Sequence, residues 1–260
     1  STQGAASLMS PGDFSDAFRP LLPGIAHIEF NNLSDIEKIT RKTAAVILET
    51  IQGEAGVRLA DPIFLQKIRE KCTKTGCLLI LDEIQAGMGR SGTLWAFEQY
   101  GIVPDVLLLA KGFGGGMPLG AFISSKKIMS TLTFDPVLGH ITTFGGHPVS
   151  CAAGLATLEI LTKTDLISTV KSKESQFRDR LQHPAIKEFR SAGLLMALDL
   201  GRVAANGQLQ RVIRFCLENG VLTDWFLFND WSLRIAPPLV ISEAEIDFAC
   251  KTILAGLDAS

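Results

Sequence analysis

The stretch DVLLLAKGFGGGMPLGAF, residues 105–122, joins a short apolar run to one lysine and a run of glycines. Residues 106–110 predict a buried β-strand, because they are all apolar and the run has the length of a strand. Glycines have no side chain, so those that follow Lys111 let the backbone pass close to a ligand. The stretch therefore predicts a strand that ends in a lysine at a binding site.

Predicted strands and helices alternate along the first part of the chain. Three more apolar runs of strand length occur, at residues 44–49, 77–83 and 120–125. A helix is predicted between the first two, where Asp61 is a good N-cap and Gly76 is placed to end the helix. The order strand, helix, strand, linker, strand is typical of a parallel α/β sheet.

The sequence changes character near residue 150, where helices rich in small or charged residues begin. The predicted fold class is α/β, a mostly parallel sheet with flanking helices, followed by a smaller C-terminal α+β domain. We place a partial large domain at residues 1–152 and the small domain at residues 153–260. The elements predicted in this part are helices at 151–163, 165–182, 208–220 and 242–257, and strands at 189–200 and 231–239.

Composition and charge exclude several classes of protein. The formal net charge is −2 and no long run of lysine or arginine occurs, so nothing in the chain attracts nucleic acid or an anionic membrane. No apolar run approaches the ~20 residues of a membrane-spanning helix. The five cysteines and four histidines show no metal-ligand spacing, so no metal site is predicted. Unpaired thiols favour a cytoplasmic location.

Polar side chains follow the ends of the predicted strands. Ligands of open parallel sheets bind outside the carboxyl ends of the strands, so these side chains are expected to meet around one ligand. GFGGGM is not a dinucleotide motif, because Met117 occupies the last glycine position, and Lys111 precedes its glycines, unlike a P-loop lysine. Asp82 and Glu83 are adjacent and point to opposite faces of a strand, so they cannot flank a sugar bond. The polar residues at the strand ends are Glu49, Glu54, Asp82, Glu83, Gln85 and Lys111.

A lysine and an acid at neighbouring strand ends suit one cofactor in particular. A lysine desolvated at a strand end has a lowered pKa and becomes a nucleophile toward aldehydes. Pyridoxal 5'-phosphate (PLP) is such an aldehyde, and it requires an acid that faces its ring nitrogen and keeps that nitrogen protonated. Lys111 and Asp82 can supply these two groups.

A family resemblance rests on the stretch LLILDEIQAGMGRSGTLWAFEQYGIVPDVLLLAKGFGGGMPLGAF, residues 78–122. It resembles the class III, ω-type aminotransferases, which include ornithine, acetylornithine and 4-aminobutyrate aminotransferases. The match continues through ETIQGEAGV (49–57), GHITTFGGHP (139–148) and LRIAPPLVIS (233–242). The resemblance implies the fold-type I architecture of PLP-dependent transferases. It also implies a homodimer whose active sites are shared between subunits.

Carried over residue by residue, the resemblance implies a cofactor site. Lys111 becomes the Schiff-base lysine and proton shuttle, and Asp82 becomes the partner of the ring nitrogen. Gln85 becomes the group that hydrogen-bonds the ring hydroxyl. Thr143 would bind the phosphate of the cofactor in the neighbouring subunit. Glu83 is interpreted as structural.

The resemblance also implies that Glu54 and Arg234 form a switch pair. In that scheme Glu54 masks Arg234 when an ω-amino donor binds, and Arg234 is released to hold a carboxylate when 2-oxoglutarate binds. The implied reaction moves an amino group from an acetylornithine-, ornithine- or 4-aminobutyrate-like donor to 2-oxoglutarate, by a ping-pong Schiff-base mechanism with PLP as cofactor. The motifs do not distinguish these donors.

The sequence departs from the family pattern at Thr50, where proline is usual, and at His147, where asparagine is usual. It also begins after the family's cofactor-stacking aromatic residue and phosphate-binding loop. The chain therefore resembles the C-terminal two thirds of a member, and we expect these 260 residues alone to be inactive. The alternative is a truncated, non-catalytic remnant that folds or dimerises without holding cofactor. Arg58 and Arg90 are interpreted as solvated or loop-ordering.

Overall fold

The computed structural model describes residues 2–202 and 207–260, which form two four-stranded sheets, a two-stranded ribbon and flanking helices. The strands are β1 (Ala45–Glu49), β2 (Ile51–Gln52), β3 (Arg58–Leu59), β4 (Leu78–Asp82), β5 (Val106–Leu109), β6 (Ala121–Ser124), β7 (Glu188–Ala192), β8 (Leu195–Asp199), β9 (Asp224–Phe226) and β10 (Asn229–Ile235). The α-helices are α1 (Gln3–Leu8), α2 (Asp13–Asp16), α3 (Pro62–Thr75), α4 (Lys126–Met129), α5 (Pro148–Lys163), α6 (Val170–Arg180), α7 (Gln208–Glu218) and α8 (Glu243–Asp258).

The first sheet has the strand order β1–β4–β5–β6. Strands β1, β4 and β5 are parallel, and Glu49 lies opposite Asp82 at the carboxyl ends of β1 and β4. Strand β6 confirms the strand predicted at residues 120–125, and it is antiparallel to β5 in a sheet that is otherwise parallel. The chain between Leu109 and Ala121 is too short for the crossover that a parallel strand requires, whereas an antiparallel strand needs only a turn.

Helix α3 covers the first sheet and begins and ends close to the predicted residues. The Asp61 carboxylate accepts hydrogen bonds from the backbone N–H groups of Ile63 at 2.8 Å and Phe64 at 3.2 Å, which caps the helix. Gly76 ends it with a left-handed φ of 77°. The face of α3 that packs into the core of the first sheet consists of Phe64, Leu65, Ile68 and Cys72.

The second sheet has the order β7–β8–β10–β9 and is antiparallel throughout. The prediction of a single strand over residues 189–200 is wrong, because the chain turns at Gly193, where φ is 62°, and forms a hairpin. A Cβ atom at Gly193 would lie 2.4 Å from the carbonyl oxygen of Arg90, so only glycine fits this turn. One large apolar core joins this sheet to α6, α7 and α8.

Two helices of this part begin away from their predicted residues. Helix α5 begins at Pro148, three residues earlier than predicted, because proline fits the first turn of a helix. Helix α6 begins at Val170, five residues later than predicted. The residues before it form turns, one of them closed by a hydrogen bond from Thr169 N to Asp165 O at 3.2 Å.

The β2–β3 ribbon and the turns after β4 share an apolar contact with the second sheet. We call β1 to β6 with α3 and their connections the parallel half, and β7 to β10 with α6 to α8 the antiparallel half. The division into domains at residues 152 and 153 stays a prediction. The buried cluster at the contact combines Ile51, Val57, Ala86 and Ala96 of the parallel half with Ala192, Leu195, Ala197 and Phe226 of the antiparallel half.

Three further properties of the described residues bear on the type of site. None of their helices has both the length and the apolar character of a membrane span. No group of three or more histidine, cysteine, aspartate or glutamate side chains among them is arranged to hold a metal ion. The five cysteines are free thiols, and four of them are buried.

Candidate active site

Lys111 lies just beyond β5, where it begins a short 3-10 helix over Lys111–Gly114. Its φ is +50°, a left-handed conformation that is uncommon for residues other than glycine. Such a conformation costs about 1–3 kcal/mol, and residues that adopt it cluster at active sites and ligand-binding sites. The side chain stays accessible to solvent, so the amine is free to react.

The glycines after Lys111 are needed partly for packing. At Gly115 a Cβ atom would lie 2.8 Å from the carbonyl oxygen of Ala153 in α5. At Gly154 in α5, a Cβ atom would lie 2.9 Å from the carbonyl oxygen of Phe113. The sequence predicts a ligand next to the glycine run, but at Gly115 the close neighbour is α5.

Four charged side chains act on the Lys111 amine. Partial burial lowers the pKa of Lys111, although the side chain remains accessible. Glu54, Asp82 and Glu49 act in the opposite direction, and the positive charge of Arg234 adds to the lowering. Because these residues come from both halves, the structure brings together side chains that are far apart in the sequence.

Asp82 ends β4 and is partly buried. Its Oδ1 atom accepts a hydrogen bond from the backbone N–H of Ile84 at 2.9 Å. Burial raises the pKa of Asp82, while the Ile84 N–H and the nearby Lys111 charge limit the rise. The second carboxylate oxygen, Oδ2, makes no hydrogen bond to the described residues and can accept one from a bound cationic ring.

Glu83 faces away from this site and is buried among fixed donors. Its carboxylate accepts hydrogen bonds from Thr50 Oγ1 at 2.9 Å and from the backbone N–H groups of Ala96 and Phe97, each at 2.7 Å. Burial raises the pKa of Glu83, and these three donors oppose the rise. Thr50, at one of the positions that depart from the family pattern, thus contributes to a structural hydrogen-bond network.

Glu54 and Arg234 form an ion pair between the two halves. Arg234 Nη2 donates to Glu54 Oε2 at 2.6 Å, and the same oxygen accepts from the backbone N–H of Leu227 at 3.0 Å. Gln85 Nε2 donates to the other carboxylate oxygen at 2.7 Å. Burial favours the neutral acid, but these hydrogen bonds and the Arg234 charge outweigh it and lower the pKa of Glu54. Glu54 is therefore ionised at neutral pH.

The Arg234 guanidinium retains binding capacity that Glu54 does not use. Its Nε atom is buried and has no hydrogen-bond partner among the described residues. Its guanidinium carbon lies 4.7 Å from the centre of the Phe226 ring, which supports the planar cation from one side. A carboxylate that replaced Glu54 could pair with two nitrogens of this group.

Gln85 lies between Glu54 and the strand ends. A side chain at Gly53 would place its Cβ atom 2.6 Å from Gln85 Oε1, so the glycine makes room for the amide. The Gln85 amide nitrogen has two N–H groups, and one of them donates to Glu54. The second N–H remains for an acceptor such as a ring hydroxyl oxygen.

Thr143 does not join the other predicted residues. It lies on an exposed loop before α5, and among the described residues no hydrogen bond links it to Lys111 or Asp82. Its assignment to the site of a neighbouring subunit stays a prediction. The same loop exposes the apolar side chains of Ile141 and Phe144.

Glu49 belongs to the site, although the sequence assigns it no role beyond its place at a strand end. Its Oε2 atom accepts a hydrogen bond from the backbone N–H of Gly53 at 2.9 Å. Burial raises the pKa of Glu49 to about 7, and the negative charges of Asp82 and Glu54 add to the rise. The available signal is its position as the last residue of the strand beside β4.

The residues present fit PLP. Lys111 offers an accessible amine whose pKa is lowered, Asp82 offers an unused carboxylate oxygen, and Gln85 offers an unused N–H. An amine, an anion and a hydrogen-bond donor are the three groups that the aldehyde, ring nitrogen and ring hydroxyl of PLP require.

The fold and the lysine-centred site define an α/β protein of the PLP-dependent transferase type, and the comparisons identify its family. The family model for class-III aminotransferases matches residues 14–257. The acetylornithine aminotransferase of Caldanaerobacter subterraneus subsp. tengcongensis is 36% identical over 97% of this chain and 63% of its own length. That of Methanocaldococcus jannaschii is 38% identical over 90% of this chain and 58% of its own length.

Solved structures agree with the sequence relatives. The ornithine aminotransferase of Toxoplasma gondii, whose active site is described with partial occupancy of PLP, superposes with a TM-score of 0.90 and 33% identity. The match covers 99% of this chain and 61% of that protein. The chain belongs to the class-III aminotransferase family. It spans less than two thirds of the length of these relatives.

Proposed function

We propose that the protein is a PLP-dependent aminotransferase that moves an amino group from an ω-amino donor of the acetylornithine, ornithine or 4-aminobutyrate kind to 2-oxoglutarate. The observation that carries the proposal is the meeting of Lys111 and Asp82 with the Glu54–Arg234 pair at the strand ends. Relatives named acetylornithine aminotransferase and ornithine aminotransferase support the donor class.

Lys111 and Asp82 are the groups that react or act on the reacting atoms. When bound, PLP supplies an aldehyde that condenses with amines and a protonated ring that accepts electrons from the substrate carbon. Lys111 Nζ holds the cofactor between turnovers and moves a proton between the substrate carbon and the cofactor carbon. Its lowered pKa increases the fraction of neutral amine that a general base requires. The Asp82 carboxylate keeps the ring nitrogen protonated.

The Glu54–Arg234 pair allows one pocket to take two kinds of substrate. Glu54 neutralises Arg234 when the bound donor has no carboxylate at that place. The carboxylate of 2-oxoglutarate takes over the Arg234 guanidinium when Glu54 turns away. The side chains are 19% and 23% exposed, so water can replace part of the lost contacts during the exchange.

The remaining features of the proposal concern the assembly. We place the enzyme in the cytoplasm as a homodimer with shared active sites, in which Thr143 reaches the cofactor phosphate of the neighbouring subunit. The exposed loop that carries Thr143 supports this, since it presents apolar side chains to its surroundings. Free thiols at all five cysteines suit a reducing compartment.

Borohydride trapping tests the proposal. The protein is incubated with PLP, reduced with sodium borohydride and digested, and the modified lysine is found by mass spectrometry. We expect the label on Lys111, and we expect it to disappear in Lys111→Ala but to persist in Lys126→Ala, a control at an exposed lysine of α4. A label spread over surface lysines, or no label and no yellow colour, would support the non-catalytic alternative instead.

A further inference from the structure

Two arginines reach from one half of the molecule to backbone carbonyl groups of the other. Arg90 belongs to the parallel half, in the turns after β4, and Arg190 lies on β7 of the antiparallel half. The sequence assigns Arg90 at most a loop-ordering part and does not single out Arg190.

Arg90 is partly buried and binds the antiparallel half. Its Nη1 atom donates to the carbonyl oxygen of Leu194 at 3.1 Å and to that of Pro237. The backbone of Leu194 returns a hydrogen bond to Arg90 O at 2.9 Å. Burial lowers the pKa of Arg90, and within the described part of the chain no acid forms an ion pair with it. One of its two carbonyl partners, Pro237, lies three residues beyond Arg234.

Arg190 reaches in the other direction, from the antiparallel half to the backbone of the parallel half. Its Nε atom donates to the carbonyl oxygen of Gly56 at 2.7 Å, two residues beyond Glu54. Asp199 holds the guanidinium in place through a 2.9 Å ion pair, and the Arg190 side chain is only 17% exposed. This arginine thus fixes the loop that carries Glu54.

The Glu54 loop needs such support, because its backbone is strained. Val57 is buried with a φ of 57°, which is a rare conformation for a β-branched residue. Gly56 packs so closely that a Cβ atom would lie 2.4 Å from Asn229 Nδ2 in the antiparallel half. A strained loop of this kind persists only where its surroundings hold it.

We propose that Arg90 and Arg190 are positioning residues that form a reciprocal clamp, in which each arginine crosses to the backbone beside one member of the Glu54–Arg234 pair. Arg190 holds Glu54 in the masking position, and Arg90 holds Arg234 in the carboxylate-binding position. The clamp sets the selectivity between substrates without touching them. This inference rests on the proposed role of the pair.

Conservative substitutions test Arg190 and Arg90 separately, in the PLP-loaded full-length enzyme, since the 260 residues alone are expected to be inactive. Arg190→Lys keeps the positive charge beside Asp199 but loses the N–H that reaches Gly56 O. We expect the ratio of kcat/KM for the ω-amino donor to that for glutamate to fall by about three- to tenfold, which lies within the range by which residues of a coupled network change the coupling between sites. Binding of glutarate, a dicarboxylate that cannot transaminate, is expected to tighten by a similar factor in calorimetry, because a loosened Glu54 competes less for Arg234.

Arg90→Lys should show the reverse pattern. We expect its glutarate Kd to rise by about three- to tenfold, with a smaller change in the donor ratio. Arg178→Lys is the matched control, because Arg178 donates to Phe189 O at 3.3 Å and to Ser191 Oγ within the antiparallel half only. Arg178→Lys should change neither the donor ratio nor the Kd for glutarate. Thermal unfolding of all three variants reports any general loss of stability.

The reference variant Glu54→Ala distinguishes a failure of the proposed role of the Glu54–Arg234 pair from a failure of the clamp. If Glu54→Ala leaves the donor ratio unchanged, the role of the pair is wrong. If Glu54→Ala changes the ratio but Arg190→Lys does not, the clamp is wrong. Should Arg90→Lys fail to fold, Arg190→Lys alone decides. Equal effects of Arg190→Lys and Arg178→Lys would also overturn the inference.

Discussion

The two halves of the molecule contribute different things to the candidate site. The parallel half places Lys111 and Asp82 at the carboxyl ends of adjacent strands, where the sheet itself fixes their spacing. The antiparallel half contributes Arg234, whose partner Glu54 belongs to the other half. The groups proposed for the chemistry lie at the strand ends of one sheet, whereas the groups proposed for substrate choice lie where the two halves meet.

Two glutamates show the same contrast in detail. Glu83 accepts hydrogen bonds from Thr50 and from two backbone N–H groups, all within the parallel half. Glu54 accepts from one backbone N–H, that of Leu227, and from the side chains of Arg234 and Gln85, which a ligand can take over. The first arrangement is suited to stability and the second to exchange.

The largest expected effect tests the chemistry of the parallel half. Lys111→Ala should reduce kcat by at least about 10³-fold, because it removes both the amine that holds the cofactor and the group that moves the proton. The thermal unfolding midpoint should stay close to wild type, since the side chain is exposed. Steady-state kinetics with the PLP-loaded full-length enzyme checks the fall in kcat. Near-normal turnover would sink the assignment of Lys111.

Asp82→Asn should have the next largest effect. We expect kcat to fall by about 10²–10³-fold, because the neutral amide cannot keep the ring nitrogen protonated. The absorbance spectrum of the bound cofactor should change with it. An unchanged spectrum together with unchanged turnover would show that Asp82 is not the partner of the ring.

Glu83→Gln sharpens the contrast between the two glutamates. It should lower the free energy of unfolding by about 2–3 kcal/mol, because hydrogen bonds from Ala96 and Phe97 to a charged acceptor are weakened. Donor selectivity should stay unchanged. Urea unfolding measures the loss, with Glu70→Gln on the exposed side of α3 as the control. A shift in selectivity without a loss of stability would contradict the structural role.

Much of the parallel half could be predicted from the sequence, because its signals are local. The apolar run that ends at Lys111, and the cap and stop residues Asp61 and Gly76, are visible in short windows. The contact of Arg90 with Pro237 joins residues 147 positions apart and leaves no local pattern. The hairpin at Gly193 has no local signal either, because the residue that excludes a side chain at Gly193 is the distant Arg90, through its carbonyl oxygen.

The pH dependence of stability tests the charge cluster at the strand ends. The pKa of Glu49 is raised from 4.5 to about 7. Between these values the unfolded chain releases a proton that the folded protein keeps, so stability falls as pH rises through this window. We expect Glu49 to account for a loss of about 1–3 kcal/mol between about pH 5 and pH 8. Urea unfolding of Glu49→Gln should lack this loss. An identical pH profile in both proteins would show that Glu49 titrates normally.

The proposed role of the contact between the halves is tested most directly by the donor ratio of Glu54→Ala in the PLP-loaded full-length enzyme. The quantity is kcat/KM for the ω-amino donor divided by kcat/KM for glutamate. We predict a fall of about tenfold, because an unmasked Arg234 attracts the second carboxylate of glutamate with an energy of about 1.4 kcal/mol. Arg234→Ala should instead raise KM for 2-oxoglutarate. A donor ratio equal to that of the wild type would mean that the Glu54–Arg234 pair is structural, and that substrate choice does not depend on the contact between the halves.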